Sequence, residues 1–236
     1  MTETESRNKD IFDALWQQVV AAHAQWQTYA ALFGQDAALV QFLNKAASGF
    51  FGALQRTLLR DVYLAISRLT DPPKVGGRRN LVISQILQHP AALADPALAA
   101  DLAPLLERVQ SVAQPFRQHR NKKLAHLDWN THLTSTERPL PPIVRRQVDD
   151  VLGALAAVLN SFSVRVRDQT TFFGDVIQVG DARVLIKRLE DAERWRRFRR
   201  AELKRLLSAQ DYGGIAELRR LGRQDLIHDT DDLEAD

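Results

Sequence analysis

The chain has 236 residues, room for one large domain or one domain with an appendage, and its 45% hydrophobic content can build a core. Zero cysteines exclude a disulfide framework, zinc fingers and cysteine nucleophiles. The net charge is only +3, yet 25 of the 32 cations are Arg, the side chain suited to bidentate phosphate or carboxylate binding, so the balance favours an anionic partner.

Helical periodicity recurs along the chain. From Ile11 to Phe33, apolar residues return at helical spacing with a break around His23. Gly34-Gln35-Asp36 then ends that helix and caps the next. A second helix is expected over about Ala37–Leu69, with an inward stripe of Leu54, Leu58, Val62, Ile66 and Leu69. Gly49 and Gly52 inside it would allow another helix to approach closely. Asp71-Pro72-Pro73 stops this helix, Lys74 to Arg79 reads as a loop, and Leu81 to Leu87 as a short helix before His89-Pro90.

The stretch from about Pro96 to Leu127 carries Leu98, Leu102, Leu105, Val109, Val112 and Phe116 at helical spacing. Pro104 and Pro115 predict a break, with a start near Pro104 and a kink near Pro115. A polar loop covers Asp128 to Pro142, and a further helix spans about Val144–Phe162. Four principal helices make an all-α bundle the economical architecture. Beyond it, Thr171-Phe172-Phe173 and Val176 to Val179 read as a short strand pair. Asp181 would cap a last, basic helix over Ala182–Ala209 whose Trp195 and Phe198 dock on the bundle. The expected organisation is a flexible N-terminus over 1–10, a bundle over 11–167, a C-terminal extension over 168–228 and an acidic disordered tail over 229–236.

No apolar run reaches the roughly 18 residues that a membrane span requires, and the polar start is no signal peptide, so a soluble cytoplasmic protein without a membrane partner is expected. There is no Gly-rich phosphate loop, no paired metal-binding His on a helix and no Gly-x-Ser-x-Gly elbow. His119 and His126 are seven residues apart, about 10 Å along one helix face, too far to share a zinc ion, so no metal site is assigned.

The informative segment is Phe116 to Trp129, which gathers Arg117, Arg120, Asn121, Lys122, Lys123 and His126 near a helix end. An Arg holds a phosphate, an amide orients it, and a His of near-neutral pKa moves protons. The residues Arg120-Asn121-Lys122-Lys123-Leu124-Ala125-His126 fit the Arg-x(4–6)-His motif, and the chain here resembles HEPN-domain ribonucleases, in particular their abortive-infection, Abi-U-like branch. The similar pieces are Arg60-Asp61 through Asp71-Pro72, Asn80 through Ile83, and Arg120 through Asp128, within about residues 10 to 165. A second match, Arg223 to His228, has Gln224 after the Arg and is read as structural or incidental.

The resemblance implies a HEPN-like fold and a metal-independent endoribonuclease that needs no cofactor and works as a homodimer. Arg120, Asn121 and His126 would be its catalytic residues. On one ideal helix Arg120 and His126 point about 120° apart, so two subunits facing across a two-fold axis would supply a better site than one. Lys122, Lys123, Arg117 and Arg60 would contact RNA, and Asp61 would be accessory, although an ion pair between Asp61 and Arg68 is the favoured reading of those two. Trp129 is expected to pack rather than stack a base. A phage-defence or toxin role would require a separate antitoxin or a phage-derived trigger. Two alternatives stand beside this reading: a non-catalytic HEPN-type dimer that binds RNA or nucleotide and scaffolds a defence complex, and a helical protein-interaction module.

Overall fold

The computed structural model describes residues 3–121 and 142–224, with side chains described over 11–121 and 142–221. The architecture is all-α, as the periodicity predicts, and the chain divides into two compact units, Met1–Val179 and Gly180–Asp236. Among the described residues, no helix is long and apolar enough to cross a membrane.

The first unit is built on α1 (Glu3–Phe33), α2 (Ala37–Leu69), α3 (Pro90–Ala94), α4 (Pro96–Val112), α5 (Gln114–His119) and α6 (Arg145–Arg167). Its core follows from spacing. Phe12, Leu15, Val19, Ala22 and Trp26 recur at three and four residues on α1 and are buried against Val62, Ile66 and Leu69 of α2. Leu98, Leu102, Leu106 and Val109 of α4 face Val151, Leu152, Leu155, Val158 and Phe162 of α6.

Capping chemistry sets the helix ends. Asp36 has extended backbone, and its Oδ1 accepts from the Leu39 N–H at 2.6 Å, starting α2 where the sequence places it. Asp95 does the same for α4, accepting from Ala97 at 3.0 Å and Leu98 at 3.2 Å. The Leu98 N–H, followed by the Arg165 guanidinium at 3.1 Å, holds the Asp95 carboxyl below its ordinary range. Helix α4 therefore starts at Pro96, and Pro104, expected to mark a start, lies inside it. Proline is compatible with a first turn, as at Pro96, and burial of Leu98, Leu102, Leu106 and Val109 along one face offsets the hydrogen bond missing at Pro104. The kink at Pro115 occurs as predicted: α4 ends at Val112, and Pro115 sits in the first turn of α5.

Other local expectations give way to tertiary packing. Helix α1 is continuous through His23, whose buried ring packs on Phe173 and whose Nε2 donates to the Leu152 carbonyl at 3.2 Å. Gly49 faces open space and Gly52 has only the Arg56 side chain nearby, so neither admits a close helix; the one departure in α2 is non-helical backbone at Ala47. Lys74 to Arg79 is a minimal hairpin, β1 (Lys74–Val75) paired antiparallel with β2 (Arg78–Arg79), turning on Gly76 and Gly77 at φ +54° and +82°. The 81–88 region forms a 3-10 turn over Ile83–Gln88.

The strand pair expected at 171–179 is absent from the described residues; a 3-10 turn, Phe173–Asp175, takes its place. The backbone of Thr171 is satisfied by Asn160, which accepts from its N–H at 2.9 Å and donates to its carbonyl at 3.0 Å, while Trp16 donates to its hydroxyl at 3.0 Å. The Asn160 side chain of α6 thus supplies the backbone partners a ladder would have supplied, and Trp16 of α1 anchors the Thr171 side chain. They also keep residues 168–179, assigned by the sequence to the extension, with the bundle.

The second unit is a helical hairpin of α7 (Ala182–Ser208) and α8 (Tyr212–Gln224). Asp181 caps α7 as predicted, accepting from Arg183 at 2.9 Å and Val184 at 3.3 Å. Helix α8 was not anticipated from Gly213-Gly214, yet the pair has a reason to be there. A Cβ on Gly214 would lie 2.6 Å from Asp211 Oδ2 and 2.8 Å from Leu206, so a larger residue there would displace the Asp211 carboxylate that accepts from the Gly214 N–H and the Leu206 side chain. Leu206, Ile215 and Leu218 form the small core. Trp195 and Phe198, expected to dock, are exposed at 41% and 56%. The acidic tail lies outside the described residues.

Candidate functional site

Helix α2 ends in a polar staple. The Thr70 hydroxyl turns back to the Ile66 carbonyl at 2.8 Å, leaving the Thr70 carbonyl pointing away from the helix. Arg117 of α5 donates to that carbonyl at 2.8 Å and to the Gln110 carbonyl at 2.9 Å, and its guanidinium also meets Gln110 Oε1. One guanidinium therefore ties the end of α2 to α4 across the Pro115 kink. Arg117, a candidate RNA contact in the sequence, is engaged in the fold.

One turn later, Arg120 caps α5 and crosses to the residue after Thr70. Its Nη1 donates to both carboxylate oxygens of Asp71, while Nε and Nη2 both donate to Asn121 Oδ1, at 3.0 and 2.9 Å. The Arg120 and Asp71 side chains are 21% and 18% exposed, so water screens this ion pair only in part. A guanidinium has five N–H donors, and among the described residues four hydrogen bonds are directed to these two side chains. Asn80, after β2, donates to the Pro72 carbonyl at 2.9 Å. The three separate sequence pieces that resemble the HEPN pattern thus meet at one place, with Asp71-Pro72 touching both Arg120 and Asn80.

Asp71 also borders a cleft of about 600 Å³ between α1, the second half of α2 and the β2 exit. Gln18, Gln25, Asp61, Arg68 and Arg79 supply its polar lining. Asp61 and Arg68 form no ion pair with each other, contrary to expectation; both line the cleft instead. Seven-residue spacing aligns two side chains on one face but leaves them two turns apart, beyond the reach of the short Asp61 carboxylate. Arg60 is exposed on α2, and no ion pair to it occurs among the described residues.

His126, Lys122, Lys123 and Trp129 lie outside the described residues. His119, at the end of α5, faces the edge of Tyr63, whose hydroxyl is pushed above its ordinary pKa by burial. No group of three or more metal-ligating side chains occurs among the described residues.

Sequence reasoning missed Asp71 as the partner of Arg120, and Thr70 and Gln110 as the partners of Arg117. Asp71-Pro72 carries a helix-stop signal that hides its second use. The available hint was an acidic residue just beyond a helix end within the resembling segment.

The family model described as AbiU2 in the HEPN group matches residues 7–185. No curated protein and no solved structure matches the chain. The matched stretch takes in the whole bundle together with Asp71, Asn80, Arg120 and Asn121, and by that coverage the chain belongs to the AbiU2 family of abortive-infection, HEPN-type proteins.

Proposed function

We propose that the protein is a metal-independent endoribonuclease of a phage-defence or toxin system, acting as a homodimer. The observation that carries this reading is Arg120, whose guanidinium is oriented by Asp71 and Asn121 six residues ahead of the His126 position. A guanidinium held in place before substrate arrives loses little freedom when it meets a phosphate, which suits it to stabilise charge as that charge develops.

The reaction follows from these groups. His126 removes the proton of a ribose 2′-hydroxyl as its oxygen attacks the adjacent phosphorus. The bond from phosphorus to the 5′-oxygen breaks, and the departing oxygen takes a proton from the partner's His126, leaving a 2′,3′-cyclic phosphate and a 5′-hydroxyl. Arg120 counters the extra negative charge on the phosphoryl oxygens, Asn121 orients Arg120, and Lys122 and Lys123 contact flanking phosphates. A two-fold axis brings both histidines to one groove. A nuclease of this kind is restrained by a separate antitoxin or activated by a phage-derived trigger.

Incubating purified protein with an oligoribonucleotide in excess EDTA tests the reading. Wild type yields cyclic-phosphate products, while Arg120→Ala and His126→Ala lower the rate by about 100-fold or more. Cleavage that survives His126→Ala unchanged would overturn the assignment.

A second reading draws on the same ion pair. Asp71 already balances the charge of Arg120, as a non-catalytic HEPN-type dimer that scaffolds a defence complex would tolerate. RNA binding by wild type without cleavage selects it.

A further inference from the structure

The family match ends at residue 185, and almost all of α7 lies beyond it. From Arg183 to Arg205 this helix carries ten cations and four acids, a net charge of +6. Three of the acids are already engaged. Asp191 pairs with Arg194 at 3.4 Å, Glu193 with Arg196 at 2.7 Å and Arg197 at 3.1 Å, and Glu202 with Arg205 at 2.6 Å. Those arginines hold the carboxyls of Glu193 and Glu202 below their ordinary range. Lys187, Arg188, Arg199, Arg200 and Lys204 are exposed and have no ion pair among the described residues. The charge left over is therefore concentrated in side chains free to meet a ligand.

Two aromatic rings stand among them. Trp195 and Phe198 are stacked on each other, centroids 5.5 Å apart and planes 25° from parallel, and both are exposed. At about 100° per residue, Arg188 and Arg199 fall within about 40° of Trp195, and Lys187 within about 20° of Phe198. The rings thus lie between Lys187 on one side and Arg188 and Arg199 on the other, while Asp191 and Glu202 on the same face are held by Arg194 and Arg205. Glu190, the acid without a pair, projects from a different sector of the helix, about 110° from the middle of the aromatic face.

We propose that this face of α7 is a binding site for single-stranded RNA, with bases stacking on Trp195 and Phe198 and phosphates meeting Lys187, Arg188 and Arg199. Planar exposed rings flanked by cations match the alternation of bases and phosphates in a flexible strand. A duplex presents phosphates but keeps its bases stacked inside, so it meets the cations and not the rings. An acidic peptide likewise satisfies the charge and leaves the rings without planar partners. The helix is charged on every side and lacks the continuous apolar half that a membrane surface needs. The proposal deepens the nuclease reading by assigning an unpaired strand as the substrate class, and it rests on that reading only for the ligand's being RNA.

The test is fluorescence anisotropy of the full chain with a labelled twelve-nucleotide 2′-O-methyl oligouridine, which binds but lacks the attacking hydroxyl. Trp195→Ala with Phe198→Ala weakens binding about tenfold or more, while a duplex of equal length loses no affinity. Trp195→Phe restores most of the binding, because a smaller ring still stacks. Arg188→Gln with Arg199→Gln lowers the slope of log K against log salt by about 1.4. Wild-type affinity in the double alanine variant overturns the proposal, as does an equal loss with duplex. Displacement of the oligomer by an oligoglutamate peptide or by phosphatidylserine vesicles at equal charge concentration also overturns it. Failure here is separable from failure of the nuclease reading. If the oligomer binds through the two rings but RNA is never cut, only the nuclease reading falls; if RNA is cut and the ring variants bind normally, only this site falls.

Discussion

Arginine does different work in the two units, and the contrast shows how packing assigns a role to a residue type. In the bundle, Arg117 and Arg145 donate into main-chain carbonyls at the ends of other helices, Arg145 closing α1 at the Gly34 carbonyl at 2.8 Å. Arg120 is fixed between Asp71 and Asn121. In the α7–α8 hairpin the described arginines pair with acids two to four residues away or have no ion pair among the described residues. The bundle has a large core that positions helix ends against one another; the hairpin's own core is Leu206, Ile215 and Leu218 with Leu203 beside them. Where elements are held tightly, a cation is drawn into the fold, and where they are not, it stays available to a ligand.

Leu155→Ala, at a fully buried position between α4 and α6, destabilises the bundle by about 2–5 kcal/mol in urea unfolding. Leu206→Ala instead raises hydrogen exchange along α8 and leaves the bundle transition in place, because it deletes contacts of the small core alone. A single shared transition shifted by both variants would show that the units unfold together.

Next comes the guanidinium staple. Arg117→Ala removes a charged donor from the Thr70 and Gln110 carbonyls and costs about 2–3 kcal/mol. Arg199→Ala leaves the same unfolding curve unmoved, since that side chain is exposed and has no ion pair. Asp71→Asn has a smaller effect, about 1 kcal/mol, because the amide oxygen still accepts from Arg120 while the charge is lost from a partly screened pair.

The smallest effect is the pH response of the bundle. Desolvation lowers the pKa of His23, and His89 is lowered by burial first and then by the nearby Arg167 charge. Above pH 6.5 both rings are neutral whether the chain is folded or not, so they add no slope. Below it the unfolded chain takes up protons that the folded chain resists, and stability falls with pH. Melting temperature should drop by a few degrees from pH 7 to pH 5, and His23→Gln with His89→Gln should flatten the drop. A slope that persists in the double variant would place the titration elsewhere.

Much of the fold was legible from local chemistry. Asp36 and Asp181 start helices where the sequence puts them, Pro115 breaks α4 from α5, and α2 spans the residues its stripe predicts. Each of these depends on one residue acting on its own neighbours. The 171–179 segment was misread because its apolar residues carry no label saying which partner will satisfy the backbone. Asn160 settled that from 11 residues away, while Trp16 holds the Thr171 hydroxyl from 155 residues away. The candidate site divides in the same way. Arg120 and Asn121 stand out as adjacent residues in a motif, whereas Asp71 joins them across 49 residues and leaves no trace in the spacing.

The charge balance of the chain shows where that boundary falls. By itself the sequence determined an all-α chain rich in Arg, with a motif of Arg120, Asn121 and His126 and a basic last helix, since helix periodicity and capping are read within a few residues. Only the tertiary structure decided which cations are spent within the fold. It tied Arg117 to Thr70 and Gln110 and gave Asp71 to Arg120, and it left Lys187, Arg188 and Arg199 open beside two exposed rings. The reason is range: a guanidinium finds its acceptor in space, and packing alone brings that acceptor within 3 Å.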